Sequence, residues 1–91
     1  MKRFKNIAKV RKANKAIGHH FFDRKTMGFF NSRIESGLLR GKYFISSEVY
    51  ARQPRVFTIR EALEDGTIKN PRYERYRSKD LALEAIKELE D

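Results

Sequence analysis

The Asp65-Gly66 pair, set between two runs of alternating residues, constrains this fold more than any other feature of the chain. Asp and Gly tolerate positive φ, so together they favour a two-residue turn whose twist suits paired antiparallel strands. Upstream, residues 55–63 put Phe57, Ile59 and Leu63 on one face and Val56, Thr58 and Arg60 on the other. Downstream, residues 67–76 read as the partner strand. Pro71 interrupts that strand or confines it to a sheet edge, because proline cannot donate to the ladder. Residues 42–48 alternate too, Tyr43, Ile45 and Ser47 against Phe44, Ser46 and Glu48, and residues 50–54 make the connecting loop. The spacing predicts three consecutive antiparallel strands.

Helices flank these strands. Ser78 is a good N-cap, Asp80 suits the positive end of the helix dipole, and Leu81, Ala82, Ala85, Ile86 and Leu89 form an apolar stripe. Phe4, Ile7, Val10, Ala13 and Ile17 recur every three or four residues, which predicts an amphipathic helix within 2–17. Gly18 ends it, and His19-His20-Phe21-Phe22 reads as a short extended piece. A middle helix starts at Asp23 or Thr26, aligns Met27, Phe30 and Ile34, and stops at Gly37. The expected class is α+β: a small three-stranded antiparallel sheet, with room for a short fourth strand, packed with helices in the order α-(β)-α-β-β-β-α. Residues 1–17 form a basic N-terminal helix or arm, and 18–91 a single compact domain.

Ninety-one residues make one domain near the lower size limit for unaided folding. Without cysteine there is no disulfide or thiolate metal site, so seven Phe and four Tyr must supply much of the core. No apolar run approaches the ~20 residues of a membrane span, and no apolar stretch follows the basic start as in a secretory signal. A cytoplasmic protein with no membrane partner is expected.

Charge points to a partner. Residues 1–44 hold twelve Lys/Arg against two acids, a net +10, whereas 45–91 hold nine against ten, a net −1, together the +9 of the whole chain. A basic face gathers phosphates by electrostatics and counterion release. The candidate contacts begin with Lys2, Arg3, Lys5, Lys9, Arg11, Lys12 and Lys15, seven cations in a stretch without an acid. Such like charges repel along an isolated helix, so this segment is expected to be marginal until it meets phosphate. Arg24, Lys25, Arg33, Arg40 and Lys42 extend the basic half. Arg24 and Lys25 fall in the first turn of the middle helix, where the dipole disfavours cations, which implies an outside anion. Arg72, Tyr73, Arg75, Tyr76 and Arg77 interleave guanidinium with aromatic rings on the third strand, a pattern that grips phosphates and stacks on bases.

Catalysis finds no footing. Adjacent His19 and His20 cannot share a metal in either extended or helical chain, Glu61, Glu64 and Asp65 sit at an exposed turn, and Gly37 with Gly41 matches no nucleotide-binding fingerprint. No enzyme, metal or cofactor is expected.

The runs Gly18-His19-His20-Phe21-Phe22, Thr26-Met27-x-Phe29-Phe30-x-Ser32-Arg33, Tyr43-Phe44-Ile45-Ser46-Ser47-Glu48 and Thr58-Ile59-Arg60-Glu61 resemble a group of short uncharacterised proteins of phages, plasmids and other mobile elements. That resemblance covers roughly 18–90 and implies a bacterial host and a role in takeover or counter-defence. The order of elements, with Tyr76-Arg77-Ser78 leading into an Ala/Leu-rich helix, is loosely similar to the three-strands-then-helix DNA-binding domains of AP2 and integrase arm-binding type. It is also similar to double-stranded-RNA-binding domains, whose basic helix start Arg77 and Lys79 partly match. The expected function is nucleic-acid binding, DNA or RNA, through the basic half. The alternative is a protein that inhibits a host defence complex or polymerase.

Overall fold

Backbone pairing in the computed structural model, which describes residues 4–89, builds a four-stranded antiparallel sheet. The elements run α1 (Ile7–Ala16), α2 (Arg24–Gly28), β1 (Arg33–Ile34), β2 (Tyr43–Glu48), β3 (Val56–Ala62), β4 (Ile68–Lys69) and α3 (Lys79–Lys87), with the strands side by side in chain order. The central ladder sets Tyr43 opposite Glu61, Ile45 opposite Ile59 and Ser47 opposite Phe57. The α+β class and the closing helix agree with the sequence reading.

Strict alternation on β2 and β3 produces two cores. Tyr43, Ile45 and Ile59 point to one side, where Ala82, Ala85 and Ile86 of α3 cover them. Phe44 and Ala62 point to the other, where Val10 of α1 and Phe22 close over them with Ile7, Phe21, Ile34 and Ile68 around the rim. Phe21, Phe22 and Phe44 stack as an aromatic triad with centroids 5.0–6.1 Å apart. Every residue of β2 is buried, so neither face of the central ladder stays open.

Three elements depart from the sequence reading. The N-terminal helix is no detached arm: Val10 is completely buried, and Asn14, 1% exposed, donates from Nδ2 to the Gly66 carbonyl while its Oδ1 accepts from the Phe21 amide. The middle helix stops at Gly28 instead of running to Gly37. Asn31 turns left-handed, and residues 30–35 join the sheet through Val49 N–H to Phe30 C=O and Glu35 N–H to Ile45 C=O, so Ile34 leaves the Met27 face. Strand pairing outweighed helical spacing there. Residues 19–22 turn where an extended piece was expected, with His20 at φ 56°.

The Asp65-Gly66 signal was right about the hairpin and one residue short in length. Leu63 N–H bonds Thr67 C=O around a three-residue loop, and Gly66 takes the left-handed position at φ +99°. Asp65 Oδ1 accepts from the Thr67 amide at 2.8 Å, which holds its carboxyl below the usual 3.8. A Cβ on Gly66 would stand 2.6 Å from the Ala13 carbonyl carbon, so the turn also seats α1. The expected third strand pairs over Ile68–Lys69, turns away, and returns to the sheet only in an isolated bridge of Tyr76 to Phe57.

Candidate functional site

The lopsided charge of the sequence becomes a difference between the two sides of the sheet. On α1 the buried Val10 and Asn14, with half-buried Ile7, leave Lys9, Lys12 and Lys15 exposed on the outer side, and Lys5 is exposed just ahead of the helix. Asn6 caps that helix by accepting from the Lys9 amide, and no acid stands in its first turn. Arg11 leans over the Phe22 ring at 5.7 Å. Arg24 and Lys25 of α2 are exposed on the same side of the sheet, since α2 packs over Glu48 and Arg60, whose side chains share the Phe44 face. Among the described residues none of these seven cations forms an ion pair. The acid beside them, Asp23, sits 3.1 Å from His20 Nδ1. The five-residue α2 carries too small a dipole for Arg24 and Lys25 to imply an anion by its field alone.

The α3 side is balanced. Lys87 pairs with Glu84 at 3.3 Å and Arg72 with Glu88 at 3.5 Å. Arg40 donates from one guanidinium nitrogen to the Ile86 and Leu89 carbonyls, closing the C-terminus of α3. Lys42 is 3% exposed and lies 3.7 Å from Glu61, which also meets Lys69. Arg40, Lys42 and Arg72, three expected phosphate contacts, therefore serve the fold, because the C-terminal half brought partners to them. Arg33 is exposed on edge strand β1, opposite Ser47 and so on the α3 side. Lys2 and Arg3 lie outside the described residues.

The Arg/Tyr alternation does not survive as a strand face. Tyr76 bonds Phe57 through both backbone groups and packs its ring against the α3 core, its hydroxyl buried without a hydrogen bond. Burial, with the Glu74 carboxylate nearby, pushes that phenol up from 10.0. Tyr73 is 87% exposed in a left-handed turn at φ 57°. Arg75 instead stacks on Tyr50, 4.3 Å from the ring centroid, and with Arg55 and Arg77 lines a groove of about 630 Å³ at the end of the sheet where β2 passes to β3. No carboxylate lines it.

Beside that groove lies a cleft that the sequence reading missed. Phe21, Met27, Phe29, Phe30 and Tyr50 wall a space of about 320 Å³ that Glu48 and Arg60 also line. Glu48, 2% exposed, accepts from Ser46 Oγ at 2.6 Å and Thr58 Oγ1 at 2.8 Å and sits 3.5 Å from the Arg60 guanidinium. Arg60 Nε donates to Ser46 Oγ, and its guanidinium covers the Phe21 ring at 5.4 Å. Each polar group is satisfied, which is what permits a charged pair beneath an aromatic cluster. The alternating polar residues Ser46 and Glu48 on β2 and Thr58 and Arg60 on β3, all on one face of the sheet, were the available signal. Among the described residues no three His, Asp or Glu gather to hold a metal, and no helix is long and apolar enough to cross a membrane.

A family model described as a family of unknown function (DUF7447) matches residues 6–87, a span that takes in α1 as well as the sheet and α3. No curated protein and no solved structure matches the chain.

Proposed function

The chain belongs to the DUF7447 family of unknown function, and from its geometry we propose that it binds nucleic acid by the phosphate backbone, through the outer face of α1 and the adjoining start of α2. The observation that carries this reading is the row Lys9, Lys12 and Lys15 with Lys5 just ahead of it, exposed and without ion pairs among the described residues, on a helix whose opposite face is locked into the core. The ten-residue helix is about 15 Å long and carries Lys9 to Lys15 along about 9 Å of its axis. Duplex DNA carries one negative charge per ~1.7 Å of axis, so several phosphates fall within the length of the helix. Lysines held on a rigid element lose less freedom on binding than a disordered arm would. Contacts of this kind position a protein and carry little sequence information, so the affinity should depend weakly on sequence.

Electrophoretic shift with duplex DNA, duplex RNA and single strands at two salt concentrations tests this. Binding that weakens steeply with salt supports the proposal. No shift of any polyanion, together with a discrete host protein retained from nuclease-treated lysate, would instead favour inhibition of a host machine.

A further inference from the structure

The arginine groove and the aromatic cleft share one wall, and their chemistries are complementary. Tyr50 lines both: its ring carries the Arg75 guanidinium at 4.3 Å and the Phe30 ring at 4.7 Å. On the groove side Arg55 is held in place by donating to the Asn31 carbonyl at 3.0 Å and Ser47 Oγ at 2.8 Å. Only one of its nitrogens is committed to these bonds, and the rest of its planar fork carries no bond among the described residues. Arg77 is exposed and without an ion pair among the described residues. Two oriented guanidinium groups and a third beside them, with no carboxylate in the lining, make an anion site suited to bidentate phosphate contact.

On the cleft side Phe29 is 75% and Phe30 48% exposed, an apolar surface left open next to a charged one. A folded chain of this size leaves such rings uncovered at a cost, which a planar ligand removes by stacking. The space exceeds what one nucleobase fills, and most of its lining is aromatic or apolar.

We infer that Arg55, Arg75 and Arg77 hold a backbone phosphate of single-stranded nucleic acid while an unstacked base of the same strand enters the cleft of Phe29, Phe30 and Tyr50. A duplex keeps its bases paired and cannot fill that cleft, so this end of the sheet distinguishes single strands from duplexes, whereas the lysine face of α1 does not. The inference rests on the nucleic-acid reading of the chain and adds the strandedness and the base site.

Fluorescence anisotropy of the full chain with three probes tests it: a short thymidine strand, an abasic strand of the same length and charge, and a duplex. Base stacking on an aromatic platform should make the thymidine strand bind roughly tenfold tighter than the abasic one. Phe29→Ala should collapse that gap without changing duplex affinity, and Arg77→Glu should weaken both single strands. Both side chains are exposed, so the melting temperatures of these variants should stay at the wild-type value, and the wild-type probe comparison stands without them. Equal affinity for thymidine and abasic strands, with the duplex still bound, overturns the inference and leaves the lysine-face reading intact. No binding of any probe overturns both.

Discussion

Asn14 shows how much one side chain does here. It is polar and buried with both side-chain polar atoms bonded, joining α1 to the Gly66 turn and to the Phe21 segment. Nothing in the periodicity marked it, since Asn at that position reads as one more polar residue between lysines. Gly66 completes the same junction from the other side. Gly66→Ala would require a left-handed alanine and push its Cβ into the Ala13 backbone, at a combined cost of about 2–5 kcal/mol. For a domain of this size that is a drop in Tm of at least about 8 °C by calorimetry. Tyr76 offers the opposite case. Its buried hydroxyl has no partner, so Tyr76→Phe should leave stability at neutral pH unchanged or raise it by about 1 kcal/mol. Burial raises the folded phenol above its ordinary 10.0, so stability is unaffected by its titration below that value and falls as pH rises past it, where the unfolded chain ionises first. Chemical denaturation at pH 9 and pH 11 should therefore show a larger loss in the wild type than in Tyr76→Phe.

At the scale of elements, α1 has two independent faces. Replacing Lys9, Lys12 and Lys15 by Gln removes like-charge neighbours three residues apart, each pair worth about 0.2–0.5 kcal/mol of repulsion. Thermal melting should show Tm unchanged or slightly raised, while affinity for nucleic acid falls. A large loss of stability would make those lysines structural. Where one face was buried and the turn signal local, the sequence was legible: the alternation of β2 and β3, the Ser78 cap of α3 and most of the stripe of α1 reappear, with Ile17 left exposed past the helix end. Where long-range pairing competed with local preference it was not. Residues 29–34 carry helical spacing, yet β2 offers a free edge and takes Arg33–Ile34 as β1. The candidate site divides the same way. Charge on α1 was readable because that helix needed only one face for the core. The fates of Arg40, Lys42 and Arg72 depended on carbonyls and carboxylates 16–49 residues away in sequence, beyond any local pattern.

Across the whole molecule, the sheet acts as a divider between a balanced α3 side and a cationic α1 side. Its two cores each need a helix, so α1 cannot leave the sheet without exposing Phe44 and Phe22. Binding by the α1 face then requires no rearrangement, and the interaction should be governed by charge alone. The salt dependence of duplex affinity tests this most directly, measured for the wild type and for the Lys9/Lys12/Lys15→Gln variant. If about six phosphates are neutralised, log K falls with log salt at a slope of about −5, and the variant's slope is shallower by about 2–3. A flat salt response in the wild type, or a slope identical in the variant, would contradict the assignment of the α1 face.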